Sequence, residues 1–129
     1  VISTFNEVLR YESPLHSFGR VTTTEVDVEG VTIPANTQVA LLFTAGNRDP
    51  RHYENPDSFQ VTRNPMDHLS FGLGVHTCAG QGLARMQAGA VLSAWVRRVS
   101  AYTVGEATRQ ISNSTRALAS CPVTSVVPA

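Results

Sequence analysis

The sequence predicts an α+β fold in which two helices bracket a small sheet and a long irregular segment, closed by a C-terminal hairpin. Three observations carry this reading. The stretch from Ile2 to Glu12 holds helix-forming and apolar residues up to a proline; Glu25-Val26-Asp27-Val28-Glu29 alternates strictly; and from Leu83 to Val99 apolar residues recur at three- and four-residue spacing.

Each element has its local reason. In the first helix Ser3 or Thr4 is placed to cap, and Val8, Leu9 and Tyr11 supply apolar surface. Pro14 stops it, because the residue before a proline is pushed out of the helical region. Arg20 to Glu29 changes to a period of two, with the valines on one face. Gly30 breaks the run, Val31-Thr32-Ile33 pairs back, and Pro34-Ala35-Asn36 turns the chain into a third strand, Thr37 to Phe43. From Gly46 to Ser70 breakers such as Asn47, Asp49, Pro50, Pro56, Asn64 and Pro65 leave no period, which marks a long loop that packs against something. After glycine-punctuated Phe71 to Gly82 comes the clearest helix, Leu83 to Val99, with Trp95 expected in the core. The last thirty residues alternate weakly, as a hairpin does. No internal repeat is present.

Composition excludes several function classes. The 129 residues suit one domain, and 42% apolar with 16% charged residues suits a packed core. Ten arginines, no lysine and ten acidic residues sum to zero net charge, so nothing electrostatic favours nucleic acid or an anionic membrane. The longest apolar run, Val39 to Phe43, cannot span a bilayer. No charged-then-apolar leader opens the chain. Two distant cysteines, Cys78 and Cys121, make no disulfide framework, so a reducing cytoplasm is expected and Cys121 reads as an inert core thiol.

The chemistry concentrates between Phe71 and Arg85. Cys78 ends a glycine-rich loop just before a helix N-terminus, where exposed amides and the helix dipole favour a thiolate. Gly72, Gly74 and Gly80 would allow close backbone approach and offer amide donors to the sulfur. Taken alone, these residues leave three readings open. Cys78 is a structural thiol, a ligand, or a nucleophile served by His16, His52 or His68. Zinc is disfavoured, since no second cysteine is near. His52 and His68 otherwise read as surface histidines.

At this point the sequence resembles a family. Phe71-Gly72-x-Gly74-x-His76-x-Cys78-x-Gly80-x-x-Leu83-Ala84-Arg85 fills every defined position of the haem-binding signature of soluble bacterial cytochrome P450 monooxygenases. Glu7-Val8-Leu9-Arg10 resembles the Glu-x-x-Arg of that family's K helix. Asn47-Arg48-Asp49-Pro50 and Asn55 through Arg63 resemble its meander. The resemblance covers nearly the whole chain in order. It implies that residues 1–129 are the C-terminal part of a single mainly-α domain: K-type helix, small sheet, meander, cysteine loop, long L-type helix and C-terminal hairpin. The oxygen-activating helix, with its acid–alcohol pair, would lie upstream.

The resemblance also implies roles. Cys78 would be the thiolate ligand of the iron of haem b (iron protoporphyrin IX), with Phe71, Gly72 and Gly80 shaping its loop. His76 and Arg20 match positions that pair with haem propionates. Glu7, Arg10 and Arg63 match a buried structural network, and Glu7 and Arg10, three apart on a helix, can pair in any case. Phe18 and Ser17 fall in the segment that lines the pocket over the haem and are the candidate substrate contacts; His16 faces either substrate or solvent. The implied activity is redoxin-dependent insertion of one oxygen atom into a small apolar or aromatic substrate. Glu12-Ser13-Pro14 and Arg20-Val21-Thr22-Thr23-Thr24 resemble members that oxidise aromatic acids. Its implied partners are that substrate and a ferredoxin-type electron donor, with self-association expected of the isolated chain. The contrasting reading is a non-catalytic module that carries the signature.

Overall fold

The computed structural model describes residues 1–129. The first helix, α1 (Ile2–Glu12), has the predicted extent, but its ends are built differently. Ser3 and Thr4 do not cap it. Val1 holds the cap position without a side-chain hydrogen bond, and Ser3 Oγ donates instead to the Val61 carbonyl. At the other end Ser13 takes a left-handed conformation (φ 43°), and its N–H closes back on the Leu9 carbonyl at 3.1 Å. Stopping the helix therefore falls to Ser13, one residue before the proline.

Two separate antiparallel pairs follow. Strand β1 (Ser17–Val21) pairs with β4 (Gln38–Leu42), Phe18 opposite Leu41 and Arg20 opposite Val39. Between them β2 (Val26–Val28) and β3 (Val31–Ile33) form a hairpin. Its two turn residues, Glu29 and Gly30, both have positive φ, 51° and 81°, as the tight turn matching strand twist requires. The expected strand from Arg20 to Glu29 is thus two strands, and the first begins three residues earlier than expected. The third strand also stops short of Phe43. That residue is buried and opens a single turn, α2 (Phe43–Gly46), closed by the Asn47 N–H on the Phe43 carbonyl at 2.9 Å.

Residues 47–68 contain no helix or strand, as the breaker density predicts, and a 3-10 turn at Leu69–Phe71 ends them. After a second 3-10 turn, Gly74–His76, helix α3 (Gln81–Arg98) starts two residues before the expected Leu83 and ends one before Val99. The C-terminus is two nested ladders and not one hairpin. Strand β5 (Val99–Val104) pairs with β8 (Val123–Pro128), and they enclose β6 (Thr108–Arg109) paired with β7 (Leu118–Ser120). The segment after α1 is sewn to this end by Arg116 N–H to the Pro14 carbonyl (2.7 Å) and His16 N–H to the Ser114 carbonyl (3.0 Å).

The core is small and largely polar. Only Leu9, Phe43 and Tyr53 are buried as large apolar residues, beside buried Asn6, Glu7, Arg10, Ser13, Asn47 and His68. Trp95 is half-buried against Tyr102, with ring centroids 5.4 Å apart, and Cys121 is exposed, so neither occupies the core expected of it. Met86, Val91 and Val96 on α3 are each 65% exposed, so part of the helix's apolar surface faces no neighbour within the chain. The accessible surface is 8910 Å². A self-contained globule of this mass exposes about 6,700 Å². No helix is long and apolar enough to cross a membrane.

Candidate functional site

Charged residues buried between α1 and the meander hold the site's frame. Arg10 Nε and Nη2 donate to the two Glu7 carboxylate oxygens at 2.8 Å each. Arg10 Nη1 also donates to the carbonyls of Asn47 (3.0 Å) and Pro56 (2.8 Å). Glu7 Oε1 accepts the Gln60 amide at 2.8 Å and Arg63 Nε at 3.3 Å. Arg63 in turn donates to the Glu54 and Asn55 carbonyls at 2.7 and 3.1 Å. The three residues singled out in the sequence do meet, and every buried charge in the group is paired, the condition under which burial is tolerated. Burial alone would raise the Glu7 pKa; the Arg10, Gln60 and Arg63 hydrogen bonds outweigh it and hold the carboxyl below its ordinary value.

Sequence reasoning missed the hub of this frame, Asn47. Fully buried, it donates from Nδ2 to Ser13 Oγ (2.9 Å) and Ser70 Oγ (3.1 Å) and accepts the Leu69 N–H at Oδ1 (2.7 Å). His68 was expected at the surface, yet it is 4% exposed, packed against Phe71 at 5.5 Å between ring centroids. Burial first, and then the nearby Arg85 cation, bring its pKa down to about 4. His52 is exposed and sits 2.6 Å from Asp67.

On the other side of the Phe71–Leu73 loop lies a cleft of about 630 Å³ whose wall includes Phe18, Arg20, Phe43, Phe71, His76 and Cys78. The strand period explains the choice of residues. Phe18 and Arg20, two apart on β1, line the cleft together with Leu41 on β4, whereas Ser17 is not among the lining residues. Phe18 packs edge-on against Phe43 at 5.8 Å, and the Arg20 guanidinium sits 5.6 Å from the Phe18 ring centre. His16 does not line the cleft. It borders a shallow pocket with Arg109 and Arg116, and its Nε2 is buried without a partner.

The cysteine loop is shaped by its own backbone. Gly72 has φ 72°, and a Cβ there would come within 2.9 Å of the His76 carbonyl oxygen, so glycine is required on both counts. Thr77 N–H and Oγ1 both donate to the Gly74 carbonyl, at 3.1 and 2.8 Å. Cys78 N–H donates to the Phe71 carbonyl at 2.7 Å, which folds the loop shut and leaves Cys78 exposed at the cleft. The Gly72 N–H is likewise spent, on the Leu69 carbonyl at 2.8 Å, so of the three glycine amides expected to donate to the sulfur this one is engaged elsewhere. Gly80 has ordinary φ (−86°) and precedes α3; a Cβ there would lie 3.8 Å from Cys78 Sγ, so its lack of a side chain keeps the sulfur uncovered.

This donor set suits one kind of group. Cys78 and His76 are the metal-ligating side chains of a mainly apolar cleft, and no cluster of three such side chains exists in the chain. A metal held here must bring most of its own ligands, as a porphyrin does, and the two cationic or hydrogen-bonding residues on the rim, Arg20 and His76, suit carboxylate substituents. Cleft and loop together leave the Cys78 thiol exposed on a mainly apolar wall.

Comparison with known proteins agrees. The cytochrome P450 family model matches residues 2–124. Cytochrome P450 CYP199A2 of Rhodopseudomonas palustris is 40% identical over 120 residues, 92% of this chain and 29% of its own length. The biotin biosynthesis cytochrome P450 of Bacillus subtilis is 44% identical over 100 residues, 78% of this chain and 25% of its own. The crystal structure of P450BioI with an acyl carrier protein ligated to hexadec-9Z-enoic acid superposes with a TM-score of 0.88 at 42% identity, over 95% of this chain and 33% of that one. The chain belongs to the cytochrome P450 family, whose members bind haem b. It spans about a third or less of the length of these relatives.

Proposed function

We propose that this chain is the haem-ligating part of a monooxygenase and that Cys78 would supply the thiolate ligand of haem b in the cleft. The observation that carries the proposal is the exposure of Cys78 on a cleft that also collects Phe18, Arg20, Phe71 and His76. Arg20 and His76 would bind the propionates, and Phe71 would help to exclude water from the sulfur. Gly72 and the Phe71–Cys78 hydrogen bond would hold the sulfur in place while Gly80 leaves it uncovered. Glu7, Arg10 and Arg63 would fix α1 to the meander and take no part in bond-making. When bound, haem supplies dioxygen activation, and thiolate ligation favours O–O cleavage. Electrons would come from a ferredoxin-type donor, and one oxygen atom would enter a small organic substrate, an aromatic acid by the resemblance of residues 12–14 and 20–24. Phe18 is the substrate contact the cleft favours, with Ser17 the weaker candidate. Two unpaired cysteines suit a reducing, cytoplasmic setting.

A second reading, that the chain acts without catalysis as a module, is favoured by one observation: about 2,200 Å² of surface beyond that of a self-contained globule of this size. Adding haem, reducing it under carbon monoxide and recording the Soret band separates the two. A band well to the red of a histidine-ligated complex supports thiolate ligation; absence of haem binding supports the module.

A further inference from the structure

The 3-10 turn Leu69–Phe71 carries the carbonyl that closes the cysteine loop, and its first two amides have no partner inside the turn. Leu69 N–H is accepted by Asn47 Oδ1 at 2.7 Å and Ser70 N–H by His68 Nδ1 at 3.2 Å. Ser70 Oγ donates onward to the Leu9 carbonyl of α1 at 2.6 Å. Both capping side chains are buried, Asn47 completely and His68 to 4% exposure. Phe71, the last residue of the same turn, accepts the Cys78 N–H at 2.7 Å. From these contacts we infer that His68 is a positioning residue for Cys78, setting the ligand loop's register by capping the turn that presents the Phe71 carbonyl. The inference deepens the assignment of Cys78 as ligand and rests on it for its functional meaning.

Geometry separates two contributions of the imidazole. Its ring packs on Phe71, and its Nδ1 accepts a hydrogen bond. With Nδ1 accepting, the ring hydrogen of the neutral form sits on Nε2, so Nε2 cannot also accept from Arg85 Nη2, 3.5 Å away, and the shorter Ser70 cap excludes that contact. A charged imidazolium would lose the cap and meet a guanidinium. The groups facing the ring from other elements are therefore Arg85 of α3 and, beside it in sequence, Asp67. Phenylalanine at 68 would keep the ring and lose the acceptor, while asparagine would keep an acceptor of the same reach and lose the ring.

The test uses the 129-residue chain without haem, so its failure stays distinct from failure of the ligand assignment, which the carbon monoxide spectrum reads. Amide hydrogen exchange is followed at Gly72 and Cys78, with Phe5 and Tyr102 as internal references on α1 and β5. His68→Phe is expected to speed exchange at Gly72 and Cys78 about tenfold, the size of a lost hydrogen bond to a part-buried donor, with the references unchanged. His68→Asn is expected to stay within about threefold of the parent at all four amides. The inference is overturned if His68→Phe leaves Cys78 exchange at the parent rate. It is equally overturned if His68→Asn is as fast as His68→Phe, or if all four amides accelerate together, since each assigns the residue to packing alone.

Discussion

Glu7 and Arg10 lie one turn apart on α1, both wholly shielded from solvent, and are joined by two hydrogen bonds of 2.8 Å. In a chain whose buried apolar side chains are so few, this pair does the organising that a hydrophobic core does elsewhere. It gathers Asn47, Pro56 and Gln60 through their backbone atoms, and so converts a loop without secondary structure into a fixed wall.

Glu7→Gln should therefore be severe. It leaves the Arg10 charge buried and half-paired, a loss of about 3–5 kcal/mol when one partner of a buried pair is removed. Urea unfolding followed by circular dichroism measures it; a loss within 1 kcal/mol, on the order of a surface substitution, would show the pair to be dispensable.

Acid should act through the same carboxylate. The Glu7 pKa is lower in the folded chain than its ordinary value of 4.5. Its contribution is thus fully present above the unfolded-state pKa and drains away as pH falls through the lower folded value. Stability measured between pH 7 and 3 should fall steeply below about 4.5 in the parent and more gently in Glu7→Gln.

How much of this was legible beforehand varies with the physics involved. The Phe71–Arg85 signature, α1 and the Glu7–Arg10 pair were readable, because motif spacing and helical i,i+3 geometry are local; that Arg63 joins the pair from 56 residues away was implied by the family resemblance alone. The Ser17–Val21 strand was not, since Ser17, Gly19 and Arg20 show no clean alternation and the strand is defined by pairing with β4. Asn47 and His68 were misjudged for a related reason. Polar side chains in a breaker-rich loop read as surface, and only the tertiary arrangement supplies the amides they cap. Cys121 failed in the opposite direction, an apolar thiol left exposed where the nested strands have no covering layer.

Cys78→Ser should abolish the red-shifted ferrous–carbon monoxide band and leave far-ultraviolet circular dichroism unchanged, because a serine alkoxide is out of reach near neutral pH. Cys121→Ala should leave the band alone. A band surviving in the first variant, or moving in the second, would transfer the ligand role away from Cys78.

Arg20→Gln and His76→Gln remove donors from the cleft rim without touching the sulfur. Haem affinity should weaken by about one to two decades for each, the scale of a hydrogen bond to a charged group, while the carbon monoxide band keeps its position. Haem titration against each variant checks the affinity; parent-like binding in both would remove these residues from the propionate role.

The last expectation concerns association. Leu83, Met86, Val91 and Val96 leave more than half their surface exposed along α3, and the apolar cleft opens elsewhere on the same small chain. Exposed apolar patches beyond a few hundred Å² are commonly association surfaces. The meander, by contrast, is tied down by Arg10, Asn47 and Arg63, so disorder there is not the expected outlet. The chain should self-associate at micromolar concentrations, and light scattering after size exclusion should show a mass that grows with loading. Val91→Glu with Val96→Glu places charges at two exposed positions of the helix and should shift the mass toward the 13.9 kDa monomer. If haem alone restores the monomer and the double variant does not, association runs through the cleft and not through α3. A parent chain that stays monomeric at every loading would show that this much apolar surface is tolerated without a partner.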